Sequence, residues 1–168
     1  MTTPESTIVP ITLRPIGIIR SPHRDPAGTP IQPRYAEGAV GRAELLPEYA
    51  EGLQDIDGFS HLHVLYFMHR AGAVRLMVKP YLQDTLRGVF ATRAPARPNP
   101  IGLSIVRLVG RSGSVLHLAD VDMLDGTPLL DIKPYVPRFD CRREAGGGWQ
   151  DGVDEETARA RGRRGERG

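Results

Sequence analysis

Three prolines within six residues, Pro95, Pro98 and Pro100, restrict what the middle of this chain can become. Proline removes a backbone donor and fixes φ, and it pushes the residue before it to extended geometry. The segment from Arg93 to Pro100 can therefore sit in neither a helix interior nor a sheet ladder. Before it stand Gly88-Val89-Phe90-Ala91-Thr92 and after Gly102 the apolar run Leu103 to Val109, and both read as strands. The segment is thus a stiff loop between two strands, holding Arg93, Arg97 and Asn99 in fixed directions. Two guanidiniums and an amide on such a loop suit an anionic or zwitterionic small molecule. A proline-rich turn with solvated arginines is the plain alternative.

The rest of the chain repeats this pattern of short elements. Gly (19) and Pro (15) make up about a fifth of the 168 residues, which favours many turns over long helices. Strands are expected at Ile11–Arg20, Ala39–Leu45, Phe59–His69, Val74–Lys79, Val115–Met123 and Leu129–Tyr135, and a short helix at Pro47–Leu53, where Pro47 suits the first helical position. Phe59–His69 has apolar residues on both faces, so it is expected to be covered on both sides. Strands separated by turns such as Arg111–Ser114 and Asp125–Pro128 predict a mainly β fold, a small closed or nearly closed β-barrel with a short helix and an irregular C-terminal tail. Residues 1–10 read as a leader, 11–140 as the barrel domain and 141–168 as a Gly/Arg-rich tail with a short helix at Asp154–Ala160. That tail is expected to be ordered only by docking onto a partner subunit.

Net charge is +2, so no field of the whole protein demands a nucleic acid, yet the last ten residues carry five arginines and one glutamate. A single cysteine, Cys141, excludes an intrachain disulfide and fits a reducing compartment. No apolar run reaches membrane-spanning length and the N-terminus lacks a signal-peptide pattern, so no membrane is expected and the cytoplasm is. Neither a Walker P-loop nor a strand–GxGxxG–helix unit occurs, nor a G-x-S-x-G elbow. His61 and His63 share a strand face, but no third ligand accompanies them, so they read as hydrogen-bonded histidines and no metal is expected. Asp120, Asp122, Asp125, Asp131 and Lys133 bracket the Asp125–Pro128 turn. As a cluster they offer cation stabilisation, with Lys133 a proton acceptor or anion clamp; singly they read as turn-forming or solvated residues.

Ile18-Ile19-Arg20-Ser21-Pro22, Gly58-Phe59-Ser60-His61-Leu62, Gly88-Val89-Phe90-Ala91-Thr92-Arg93, Arg97-Pro98-Asn99-Pro100-Ile101-Gly102, and Asp125-Gly126-Thr127-Pro128 followed by Asp131-Ile132-Lys133-Pro134-Tyr135 occur here in that order. Together they resemble the TsaA-like (TrmO, YaeB, VirR) family over roughly Leu13 to Asp140. The resemblance implies a small β-barrel, a homodimer, an S-adenosylmethionine site near the dimer interface, and methylation of N6 of threonylcarbamoyl-adenosine beside the anticodon of tRNA. It implies cofactor-binding roles for Pro30, Ile31, Gln32, His69, Arg70, Arg93, Leu103, Asp125, Gly126, Thr127 and Pro128. His69 and Asp125 are the candidates for taking up a proton, and Phe67 for facing the sulfonium. His63 stands where the bacterial tRNA enzymes carry an aromatic residue, and their additional C-terminal domain has no counterpart here beyond the arginine-rich tail. Two alternatives stay open: methylation of a small metabolite, and a non-catalytic S-adenosylmethionine-binding module. A metal-dependent hydrolase using His61 and His63 ranks behind both.

Overall fold

The computed structural model describes residues 9–165; most of the leader, residues 1–8, lies outside them. The strands are β1 (Gly17–Arg20), β2 (Val40–Leu45), β3 (His61–Phe67), β4 (Met77–Val78), β5 (Arg87–Gly88), β6 (Ile101–Ser112), β7 (Val115–Ala119) and β8 (Thr127–Pro134). Six of them close into an antiparallel barrel in the order β1-β2-β7-β6-β3-β8, with β8 returning to β1. Closure leaves no edge strand in the barrel, so every strand finds two partners. β4 and β5 form a separate two-residue ladder.

Strand alternation sets the core. Leu62, Val64 and Tyr66 of β3 point inward, as do Ile19 of β1, Ala43 and Leu45 of β2, Val106 of β6, Leu116 and Leu118 of β7 and Leu129 of β8. Pro47–Leu53 is helical as expected, but wound as 3-10 turns. Its last residue, Leu53, is buried in the core, and Arg111 donates to the Leu53 carbonyl at 2.9 Å.

Several expected strands are shorter than their apolar runs. Pro15 precedes β1, which keeps only four residues. Of Val74–Lys79 only Met77 and Val78 pair. The Gly88–Thr92 stretch is not a strand: after the β4–β5 bridge, Val89–Ala91 turns as a 3-10 helix closed by Thr92, whose hydroxyl donates to the Val89 carbonyl at 2.9 Å. That turn aims the next residue, Arg93, away from the ladder. β3 is inward-buried on one face and half-covered on the other: His63 approaches Asp140 at 3.3 Å and its ring lies against Tyr135. On the outer face Leu65 pairs with Leu103 and Phe67 with Ile101, which leaves Phe67, Ile101, Leu103 and Ile105 as an exposed apolar stripe.

The tail packs on its own chain. After α1 (Pro137–Asp140), Trp149 donates its indole N–H to the Ala91 carbonyl at 2.7 Å. Asp154 caps α2 (Glu155–Ala160), accepting from the Thr157 amide at 2.8 Å. The chain then runs beside the early loop. Ile31 donates to the Gly162 carbonyl at 2.9 Å, Arg164 to the Thr29 carbonyl at 2.9 Å and Gly28 to the Arg164 carbonyl at 2.6 Å. These bonds seat residues 148–165 against their own chain.

Candidate functional site

The early loop, the end of β3, the stiff loop and the turn before β8 meet at one mouth of the barrel. Two adjoining cavities open there, of about 840 Å³ and about 350 Å³. The larger is lined on the barrel side by Tyr66, Met68, Met123, Leu124 and Thr127 and at its rim by His69, Arg70, Arg75 and Lys79. The smaller lies between the early loop and the tail, with Ile31, Gln32, Tyr35, Tyr81, Arg93 and Trp149 in its walls. Lys79, Pro80, Tyr81, Ala94, Pro95 and Arg164 face both. An apolar floor with a cationic rim suits a ligand that has an aromatic or alkyl part and an anionic part.

The stiff loop is stitched from within. Arg97 donates to the Thr92 carbonyl at 3.2 Å and stacks over Phe90, so its guanidinium serves the loop. Arg93 is aimed the other way and donates to Gln32 Oε1 at 2.6 Å, tying this loop to the early one. Asn99 is exposed and lines neither cavity.

Behind the larger cavity lies a buried polar chain. Ser104 donates to Asp122 Oδ1 at 2.7 Å, and the Tyr66 hydroxyl sits 3.1 Å from the Ser104 oxygen. Burial pushes the Asp122 carboxyl up to about 6, opposed by the Ser104 hydrogen bond and the charges of Arg164 and Arg93. Burial, with the nearby Asp122 charge, raises Tyr66 well above the usual phenol range. Asp122 is therefore not the solvated carboxylate that its place in a polar cluster suggests. Gly102 makes room for Tyr66: a Cβ there would clash with the phenol ring at its Cε2.

His69 is held at the rim. Its Nδ1 lies 3.5 Å from Thr127 Oγ1, and Thr127 gives its own proton to the Leu124 carbonyl at 2.7 Å. Thr127 can then only accept, so this contact favours the Nδ1–H tautomer and leaves Nε2 with a lone pair. Desolvation, then the charge of Arg70, lowers the His69 pKa below the ordinary histidine value and keeps the ring neutral at pH 7.

The residues singled out in the sequence divide three ways. His69, Arg70 and Thr127 line the larger cavity, and Ile31, Gln32 and Arg93 the smaller. Pro30, Asp125, Gly126 and Pro128 stand behind the walls. Pro30 is buried and bridges Arg163 of the tail, Asp125 accepts from the Ser21 amide at 3.1 Å, the Gly126 amide donates to Ile19 at 2.9 Å, and Pro128 pairs with Ile18. Leu103 and Phe67 lie on the outer barrel face, away from both cavities. Lys133 is paired with Asp131 at 3.0 Å and lines neither cavity. His61 bonds to Ser60, and among the described residues no group of three potential ligands could hold a metal ion. No helix of the described residues is long and apolar enough to cross a membrane. Sequence reasoning missed Tyr66, Met68, Met123, Trp149 and Arg164. Of these, Tyr66 and Met68 carried a local signal as part of the β3 run, and Met123 as the end of the expected strand Val115–Met123.

Comparison with known proteins gives a consistent result. The family model described as the tRNA-methyltransferase O N-terminal domain matches residues 18–141. A Pyrococcus abyssi protein named "Probable S-adenosyl-L-methionine-binding protein" is 57% identical over 139 residues, covering 83% of this chain and 76% of its own. The Escherichia coli K12 protein named tRNA (adenine(37)-N6)-methyltransferase is 41% identical over 132 residues, 73% of this chain and 56% of its own. The crystal structure of TrmO from Pseudomonas aeruginosa superposes with a TM-score of 0.71 at 41% identity, covering 84% of this chain and 63% of that one. This chain thus spans less than two thirds of the length of the bacterial proteins it matches, and more of the archaeal one.

Proposed function

From the premise that this chain belongs to the family of the tRNA-methyltransferase O N-terminal domain, we propose that it is an S-adenosylmethionine-dependent methyltransferase acting on N6 of adenosine in tRNA, with threonylcarbamoyl-adenosine beside the anticodon as the acceptor. The observation that carries this reading is convergence. His69, Arg70 and Thr127, and Ile31, Gln32 and Arg93, come from four separate stretches of sequence and line two adjoining cavities.

The lining fits the cofactor. Arg93, oriented by Gln32, offers a guanidinium fork to a carboxylate. Tyr66, Met68, Met123 and Leu124 offer an apolar surface to the nucleoside of the cofactor. When bound, the cofactor supplies a methyl group already activated on a sulfonium sulfur. The protein's task is then alignment and exclusion of water. An acceptor nitrogen that took this methyl would have a proton to lose, and the sulfur would keep the electron pair of the broken bond. His69, neutral and with Nε2 free, is the group placed to take that proton. Arg70, Arg75 and Lys79 at the rim supply phosphate contacts to the RNA.

The protein acts as a homodimer in the cytoplasm. A second copy covers the apolar stripe of Phe67, Ile101, Leu103 and Ile105, and this places Leu103 beside the cofactor across the interface. A second reading, binding without transfer, is favoured by one observation. An Archaeoglobus fulgidus relative, 42% identical and covered by this chain over 92% of its length, is named only as an S-adenosyl-L-methionine-binding protein.

The test is calorimetric titration with S-adenosylmethionine, with Arg93→Ala as control, followed by transfer of labelled methyl to tRNA lacking the modification. Micromolar binding that weakens in the control, with label entering tRNA, is the expected result. Binding without label in any tRNA selects the second reading, and no binding by the folded protein overturns both.

A further inference from the structure

Arg164 lies outside the matched family region, yet it lines both cavities, and its charge reaches the buried Tyr66 and Asp122. The tail that carries it is built into the site. Residues 162–164 exchange three backbone hydrogen bonds with residues 28–31. Gly162 permits the approach, because a Cβ at that position would clash with the Tyr35 side chain, 2.5 Å from its Cγ. The neighbouring tail arginines are occupied: Arg161 grips both oxygens of Asp84, and Arg163 bonds Glu37 at 3.1 Å. Arg164 is half-buried, and its guanidinium makes no hydrogen bond or ion pair with any described residue. A guanidinium held at the seam of two cavities, with its fork free, is an anion site waiting for an oxygen pair.

We propose that Arg164 is a ligand-binding residue of this site, holding an anionic oxygen group of the bound ligand at the junction of the two cavities, so that the folded-back tail forms one wall of the binding site. This rests on the function proposed above. Two sources supply such a group: the amino-acid carboxylate of the cofactor and a phosphate of the RNA.

The chain's single tryptophan, Trp149, sits in the same tail and lines the smaller cavity, so its emission reports both docking of the tail and arrival of a ligand. The experiment compares the wild type with Arg164→Gln and Arg164→Lys. Each is titrated, by fluorescence and calorimetry, with S-adenosylhomocysteine, with 5′-methylthioadenosine (which lacks the amino-acid carboxylate) and with an anticodon stem-loop RNA at several salt concentrations. Unchanged Trp149 emission in the free Gln variant establishes that the tail stays docked. If the cofactor carboxylate is the anion, Arg164→Gln weakens S-adenosylhomocysteine about tenfold or more, leaves 5′-methylthioadenosine unchanged, and Arg164→Lys recovers part of the loss. If a phosphate is the anion, cofactor binding is unchanged, RNA binding weakens, and its salt slope falls by about one. Either result supports the proposal. Equal binding of all three ligands by wild type and Arg164→Gln overturns it and leaves the methyltransferase reading standing. A Gln variant that weakens 5′-methylthioadenosine as much as S-adenosylhomocysteine, or whose free emission shows an undocked tail, also overturns it, because Arg164 then acts through structure. Absence of any binding by the wild type removes both readings.

Discussion

Replacing Asp122 with Asn changes one atom in the barrel core and alters the pH dependence of stability in a direction that burial fixes. Asp122 is 2% exposed, and its only side-chain partner among the described residues is the Ser104 hydroxyl. Asn keeps an oxygen to accept that bond, so packing is preserved and the carboxylate charge is removed. The wild-type carboxyl titrates at about 6 in the folded protein, against an ordinary value of 3.8. A raised carboxyl pKa means that the native state binds this proton more tightly than the unfolded chain. The resulting stability is present below pH 3.8 and is lost as pH rises through 6. At ~1.4 kcal/mol per pH unit, the gap corresponds to a loss of ~3 kcal/mol over the whole titration. The amide of the variant cannot titrate. The assay is urea unfolding of both proteins from pH 4 to pH 8, taking the difference in unfolding free energy at each pH. Glu44, Asp84, Asp140 and Asp154 have lowered pKa values, so their contributions are present above their unfolded values and lost as pH falls. They belong to both proteins and cancel in the difference. The wild type should lose ~2 kcal/mol relative to Asp122→Asn on going from pH 4 to pH 7.5, and the variant should be the more stable at neutral pH. A difference that stays flat across this range would refute the claim that a buried charge resides at Asp122.

Three further outcomes are expected. His69→Gln should lower the single-turnover methyl-transfer rate by ~10²-fold or more and abolish an acid limb lying below the ordinary histidine value, where the lowered pKa places it; an unchanged rate removes His69 from the mechanism. Gly102→Ala should push the Tyr66 ring out of place and destabilise the protein by ~1–3 kcal/mol in urea, with weaker cofactor binding; unaltered stability and binding would show that the ring has room to shift. The wild type should be a dimer by light scattering, and Leu103→Glu should make it a monomer and weaken cofactor binding without lowering the unfolding midpoint of the monomer; a wild type that is already monomeric sinks the dimer proposal.

The barrel was legible because its signals are local. Apolar runs mark β3 and β6, and Arg111-Ser112-Gly113-Ser114 and Asp125-Gly126-Thr127-Pro128 mark two of its turns. What misled was apolarity without partners. Val74–Lys79 and Gly88–Thr92 have the composition of strands, but they lie outside the closed barrel and find only two ladder pairs between them. The outward residues of β6, Ile101, Leu103 and Ile105, are as apolar as its inward Val106, so composition could not say which face is inside. Gly102 and Ser104 decide it. They are small, and the space they leave is filled by Tyr66 and its hydrogen bond.

The site was legible in part for the same reason. The motifs that resemble the family lie on the barrel or on loops anchored to it, so their order in sequence implied their meeting at one mouth. Arg164 had no such signal. Its place depends on bonds between residues 28–31 and 162–164, more than 130 positions apart, and no local period encodes a contact that long. In sequence it is one of five arginines in a run of ten, and a run of like charge ordinarily reads as a solvated tail. The structure breaks that equivalence. Arg161 and Arg163 meet carboxylates on the chain's own surface, while Arg164, the next residue along, is turned toward the cavities. Alternation along an extended segment puts neighbours on opposite sides, so pairing Arg163 outward is what delivers Arg164 to the site.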